Sequence, residues 1–294
     1  MTLEALTKRI KTTTDLKDIV GTMKMLSSVS IAPYERALKS INRYGQTVKD
    51  AFVGLLKKEN FTYWPRPIKS TTPQTIAIMI GTDNGLVGRF NRDILSYARS
   101  DLKNRGCWDQ TVFVCVGKRL GLMADSAKLP LMATYAIMNS LKEIASIASM
   151  VLMKVNEIIP ARKSEQVLIY FMKRKSGEPQ KPTVLQLMPL PFKEMMGFKA
   201  EKWNGRTPPL ITADYDDLFG ALIHEYLTVV LSGALTASLA AEHYTRMVNM
   251  QQAEKNIDDS LTEMNLTYQQ LRQTGITDEL IDIVSGAESL KKKR

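Results

Sequence analysis

The chain has 294 residues, 44% of them apolar, and a formal net charge of +10, the proportions of a globular protein with room for one large domain or two of about 100 to 200 residues each. No run of about 18 uninterrupted apolar residues occurs, so direct membrane insertion is not expected, and Met1-Thr-Leu-Glu-Ala-Leu6 lacks the basic segment and apolar stretch of a secretory signal. Cys107 and Cys115 belong to no paired-cysteine motif and only His224 and His243 accompany them, which argues against a zinc site or a disulfide framework.

The first predicted element is a long helix. Leu3, Leu6 and Ile10 open an apolar seam that, after Lys11 to Thr14, resumes shifted in phase as Leu16, Ile19, Met23 and Leu26. The pattern extends from Thr2 to about Lys58, on the order of 80 Å if unbroken. Gly21 weakens it and Pro33 removes a backbone donor, so residues 1–60 read as a coiled-coil helix bent or interrupted near 33. Phe61-Thr-Tyr-Trp-Pro-Arg-Pro67 and Ser70-Thr-Thr-Pro73 are turn-rich and read as a linker.

Residues 74–208 follow another pattern. Thr75 to Ile80 and Thr111 to Val116 are short β-branched apolar runs, a helical pattern runs through Asp101, and another helix spans Ser140 to Ile158. Gln166 to Lys173 and Thr183 to Met188 read as strands joined by Lys175-Ser-Gly-Glu-Pro-Gln-Lys-Pro182. Alternating strands and helices predict a Rossmann-like α/β domain with a largely parallel sheet. The loop Gly81-Thr-Asp-Asn-Gly-Leu-Val-Gly88-Arg-Phe-Asn91 invites two readings, a phosphate cradle at a helix N-terminus or a structural tight turn. Its glycine spacing fits neither the dinucleotide fingerprint nor a P-loop, which favours the turn.

From Asp214 to Ser285 the pattern is helical again, within a segment spanning residues 209–290 and followed by a basic tail at 291–294. Met247, Met250, Ile257, Leu261, Met264, Tyr268 and Leu271 repeat at heptad spacing, a seam that requires a partner helix. Beyond Leu271 the register fails, and Leu280, Ile281, Ile283 and Val284 cover more than one helix face. His243, beside Glu242, reads as a helix-surface or seam residue, and the acids between Asp214 and Asp217 suit a helix start. No nucleophile with a neighbouring base is legible, so no catalytic residue, cofactor site or metal site is expected.

Charge selects the partner of the C-terminal seam. Between Met1 and Gly45 the net charge is +4, while between Arg246 and Leu290 it is −5. Opposite signs favour pairing of the two terminal helices in a long antiparallel coiled coil and disfavour self-pairing of either. With the charge so distributed, the overall +10 does not point to nucleic acid.

These segments resemble the gamma subunits of F-type ATP synthases, of bacterial or mitochondrial type. The likeness is carried by Arg246-Met-Val-x-Met250, Leu266-Thr with Tyr268, Arg272-Gln273, Ile276-Thr277, Glu279-Leu280 and Ile283-Val-Ser-Gly-Ala287 with Leu290. Arg9-Ile-Lys11, Thr22-Met-Lys-Met25, Arg43-Tyr44 and Gly81-Thr-Asp-Asn-Gly-Leu-Val-Gly88 add to it, while Val87 stands where the family commonly has Cys. The resemblance implies a non-catalytic rotor shaft: terminal helices enclosed by alternating alpha and beta subunits, and a central domain near an epsilon-type subunit and the membrane ring of c subunits. It implies a peripheral location, on the cytoplasmic face of a bacterial plasma membrane or, alternatively, the matrix face of the mitochondrial inner membrane. It also implies partner contact or coupling roles for Met23, Lys24, Arg246, Arg272, Gln273, Thr277 and Asp282. By spacing alone, Met23 fits a seam position equally well, and Arg272 with Gln273 fits a solvated helix face.

Overall fold

The computed structural model describes residues 2–56, 73–137, 140–162, 166–174, 180–190, 207 and 210–291. The turn-rich linker, most of the Lys175 to Pro182 connection and the end of the basic tail lie outside the described residues. The chain divides into two compact units, one made of Met1–Ser27 with Arg246–Arg294 and the other of Ser28–Thr245. Helix α1 (Leu3–Leu56) and the last helix, α5 (Tyr215–Lys291), contribute residues to both.

In the larger unit, strands β1 (Thr75–Ile80) and β2 (Thr111–Val116) are buried at every position, and β4 (Gln166–Lys173) at all but its last. Runs of this kind suit parallel strands covered on both faces. With β3 (Leu131–Tyr135) and β5 (Lys181–Met188) they form one sheet of order β3-β2-β1-β4-β5. Thr75 of β1 stands opposite Thr111 and Gln166 in parallel registers, β3 extends the parallel set, and β5 returns antiparallel on β4.

Side chains alternate between the two faces of this sheet. Ala77, Met79, Phe113, Cys115, Leu168 and Tyr170 pack with α2 (Phe90–Asn104) and α3 (Lys118–Ser126). Ile76, Ile78, Ile80, Val114, Val116 and Ile169 pack with α4 (Ile144–Arg162), with Tyr34 of α1 and with Leu227 to Leu239 of α5. Sequence patterning did not anticipate α3 or β3. Helix α3 has only nine residues, and β3 is a half-exposed edge strand with no buried run to mark it.

Helices α4 and α5 each contain a window long and apolar enough, by length and composition, to cross a membrane. In α4 that apolarity serves the core, because Ile144, Ile147, Val151, Val155 and Ile158 are buried against the sheet. Within this unit α1 and α5 run antiparallel. Phe52 meets Phe219 and Tyr226 edge-on at 6.0 and 6.2 Å, and Tyr34 stacks on His243 at 5.2 Å. Between these levels the helices approach closely, since a Cβ at Gly45 would lie 3.1 Å from Cγ1 of Val229. His243 is thus a seam residue.

Pro33 does not interrupt α1. The bond it removes would have gone to the carbonyl of Val29, a residue 69% exposed, so the loss falls where water can solvate the freed acceptor. The adjoining Tyr34 is buried and held against His243, which supports the helix on its inner side.

The loop after β1 is a turn built on its own polar groups. Thr82 donates its backbone N–H to Asn91 Oδ1 at 3.0 Å, and Asn91 Nδ2 donates to Thr82 Oγ1 at 3.0 Å. Asp83 accepts the N–H of Lys118, first residue of α3, at 2.6 Å and the N–H of Ile137 at 3.1 Å. The anion at that helix N-terminus is therefore the chain's own carboxylate. Gly81 is required by space: a Cβ there would lie 2.5 Å from Asn91 Oδ1 and 2.5 Å from Cβ of Leu120. Gly81→Ala is expected to destabilise the chain by roughly 1 to 3 kcal/mol. Gly220→Ala, in a helix with open space around the site, should stabilise it by about 0.5 to 1 kcal/mol. Urea unfolding of the full chain compares the two, and a Gly81→Ala midpoint equal to wild type would contradict the packing described.

Candidate partner-binding surface of the terminal helices

The smaller unit pairs the start of α1 with the end of α5. Lys17 Nζ lies 2.7 Å from Asp258 Oδ1, and Lys24 bonds Glu254. As numbers rise along α1 they fall along α5, so the pair is antiparallel.

The inward positions of α1 recur every seven residues in two interleaved series. Leu6, Thr13, Val20 and Ser27 form one, and Ile10, Lys17 and Lys24 form the other; each is buried or half-buried. The expected phase shift does not occur. Leu16, Ile19 and Leu26 are 49%, 56% and 60% exposed, and the seam runs straight through the polar residues between them. The long stems of Lys17 and Lys24 cover apolar surface while their ammonium groups reach carboxylates on α5. On α5 the expected seam agrees with the burial: Met250 and Met264 are buried, and Met247, Ile257, Leu261, Tyr268 and Leu271 are half-buried.

Hydrogen bonding and the nearby charge of Asp258 raise the pKa of Lys17 above its ordinary value. A raised folded-state pKa means that this stabilisation is fully present below the unfolded value of 10.5 and is lost as pH climbs through the folded value. The Lys24 pair is more enclosed, with side-chain exposures of 35% and 25%, yet a pair so situated contributes only about 1 kcal/mol or less. These contacts set register and partner choice more than stability.

From Arg272 to Ser285 every residue of α5 is exposed. Among the described residues the burial that marks Met250 to Leu271 stops at this point. At about 100° per residue, Ile276, Leu280, Ile283 and Val284 fall on one face of this segment, bordered by Arg272, Gln273 and Thr277. Ile276, Leu280 and Ile283 are 48%, 58% and 68% exposed. An apolar stripe of this kind with a polar border marks an interaction surface.

The seven expected contact residues divide among these settings. Met23 is half-buried on α1, Lys24 is committed to Glu254, and Arg246 is 6% exposed on α5. Arg272, Gln273, Thr277 and Asp282 are exposed, and Thr277 Oγ1 donates to the carbonyl of Gln273 at 2.9 Å. Asp282 lies on the opposite side of the helix from the apolar stripe. Glu254 and Asp258 were not singled out from sequence, although the charge balance between the helices was the signal that pointed toward them. Among the described residues no cluster of three His, Cys, Asp or Glu could hold a metal ion.

Comparison with known proteins adds four findings. Residues 2–290 match the family described as ATP synthase. The chain is 26% identical over 284 residues to the ATP synthase gamma chain of Clostridium perfringens (strain SM101), covering 97% of this chain and 96% of that one. It is 27% identical over 290 residues to the ATP synthase gamma chain of Trichlorobacter lovleyi, covering 98% and 99%. In fold it is similar to a chain in the cryo-EM structure of the Euglena gracilis mitochondrial ATP synthase, with TM-score 0.67, 15% identity and coverage of 98% of this chain and 94% of that one.

The seam ion pair is tested by exchange. Lys24→Glu and Glu254→Lys should each lower the urea midpoint of the full chain, and the double substitution should restore most of the loss, with a coupling of about 0.5 to 1 kcal/mol. Additive losses in the double variant would contradict pairing between these two residues.

Proposed function

Because this chain belongs to the ATP synthase gamma-chain family, we propose that the paired start of α1 and end of α5 are the part of the shaft that the catalytic head encloses, and that the exposed end of α5 is its bearing. The chain is the non-catalytic central-stalk subunit of an F-type ATP synthase, coupling rotation to catalysis. It is a peripheral subunit that works with the alpha/beta head, the membrane ring and the other stalk components.

The observation that carries this reading is the change in exposure at Arg272. Upstream, α5 is one half of an interlocked pair; downstream it is a single helix with an apolar stripe. Two helices joined through side chains resist twisting better than one, whereas a lone apolar end suits an apolar sleeve that must allow rotation. Arg272 and Gln273, at the point where pairing stops, are placed to hydrogen-bond a loop of a beta subunit, with Thr277 one turn further on. Met23 and Lys24 are assigned to the level where acidic levers of the beta subunits press on the shaft, with Arg246 on the facing helix and Asp282 in the coupling region. Lys24 then has two roles, because its ammonium already pairs with Glu254 inside the chain.

The central α/β domain is assigned to the foot of the stalk, beside an epsilon-type subunit and the ring of c subunits. We place the complex on the cytoplasmic face of a bacterial plasma membrane, in keeping with the bacterial relatives; the matrix face of the mitochondrial inner membrane is the alternative.

Native pull-down of the full chain should recover ATPase subunits, and recovery of none would sink the reading. In the assembled complex, Arg272→Ala/Gln273→Ala should lower ATP turnover by about tenfold, equivalent to about 1.4 kcal/mol, as expected for lost charge-assisted hydrogen bonds. Unchanged turnover would remove these residues from the coupling contact. Lys24→Glu/Glu254→Lys should restore helix pairing yet still lower ion pumping per ATP; full recovery of pumping would confine Lys24 to the seam.

A further inference from the structure

The connection between β4 and β5 leaves the sheet at Arg174 and returns to it from Gln180, and both of these residues are fastened to α5. The guanidinium of Arg174 lies 4.0 Å from the centroid of the Tyr244 ring. Its Nη1 also donates to Glu35 Oε1 of α1 at 3.3 Å. On the other leg, Thr245 Oγ1 lies 2.5 Å from Gln180 Oε1 and 2.7 Å from the carbonyl of Ala241, so its single proton is shared between the hairpin and the helix's own backbone. The neighbouring residues Tyr34 and His243 stack on each other. Successive residues of α1, successive residues of α5 and both legs of the β4–β5 hairpin therefore meet at one level of the larger unit.

Apart from the bond that Ser238 Oγ of α5 donates to the carbonyl of Ile80 at 3.3 Å, this junction contrasts with the mainly apolar packing between the sheet and the two helices. That packing is built on residues such as Leu227, Leu231, Leu235 and Leu239 against Ile and Val of the sheet. Apolar contact of this sort is non-directional, so it resists separation of the surfaces more than their sliding. A planar guanidinium held between a ring face and a carboxylate is directional, and only arginine offers a flat cation able to meet both. Tying both legs of the hairpin opposes rotation of the sheet about the helices in either sense.

We propose that Arg174 is a positioning residue for rotary coupling: with Glu35, Tyr244, Thr245 and Gln180 it clamps the α/β domain to both long helices, so that torque entering through the domain reaches the shaft without angular slip. The clamp rests on the rotor role stated above, since its effect on coupling has meaning only in a chain that carries torque.

The test uses the whole ATP synthase carrying Arg174→Ala, Arg174→Lys or Tyr244→Leu. Each variant should assemble and hydrolyse ATP. Arg174→Ala and Tyr244→Leu should lose ion pumping per ATP hydrolysed and widen the angular spread of a bead on the membrane ring relative to a fixed head, and Arg174→Lys should fall between them and wild type. Normal pumping per ATP and normal angular spread in Arg174→Ala would overturn the clamp and leave the rotor role standing. A wild-type chain that failed to co-purify with the head would overturn the rotor role itself. If Arg174→Ala does not assemble, Glu35→Leu/Thr245→Val, which removes the acceptor on α1 and the hydroxyl on α5 at similar volume, carries the same expectation and the same contrary outcome. A contact that only stabilised the fold would lower the thermal midpoint of the complex and leave the ratio of ions pumped to ATP unchanged.

Discussion

The return of α1 to the same face every seventh residue is the constraint on which the rest of this structure depends. In each unit the inward positions of α1 meet α5 running the other way, through Tyr34 on His243 in the larger unit and through Lys17 and Lys24 on their acids in the smaller. Because the heptad period is shorter than two turns of a straight helix, a sustained seam keeps both helices engaged over many turns. Neither helix has a reason to be so long on its own.

The quality of the seam changes along the chain. Near the beginning of α5, Phe52, Phe219 and Tyr226 make an aromatic cluster that holds the helices apolar face to apolar face. In the smaller unit the inward positions include Thr13, Lys17, Lys24 and Ser27, and acids on α5 answer the lysines. Charged layers specify which helix pairs with which, and in what register, at some expense in stability. Apolar residues such as Leu16, Ile19 and Leu26 are meanwhile left facing outward. The central domain needs no chemistry of its own for this task. Its most suggestive loop, from Gly81 to Asn91, spends its polar groups on Thr82, Asn91 and the first amide of α3.

What was legible in the sequence depended on whether a position's polarity matched its burial. The α5 seam from Met247 to Leu271 could be read directly because large apolar residues occupy nearly every inward position. The α1 seam could not, since its inward lysines look like surface and its outward leucines look like core; following apolar residues alone produced a phase shift that the helix does not make. Strands β1, β2 and β4 were visible as β-branched runs, whereas β3 is a half-exposed edge strand and α3 is too short to show a period. The end of pairing after Leu271 was legible as a loss of register. Arg174 was not, because it borders a Lys-, Gly- and Pro-bearing connection that reads as an ordinary solvated turn, and its partners are far away in sequence.

A bead attached to this chain in a surface-fixed, ATP-fed complex gives the most direct measure of whether the paired helices are a rotor. Stepwise rotation in one direction, tracking ATP hydrolysis, is the expected result. Continued hydrolysis by a head that retains the chain while the bead stays still would contradict it.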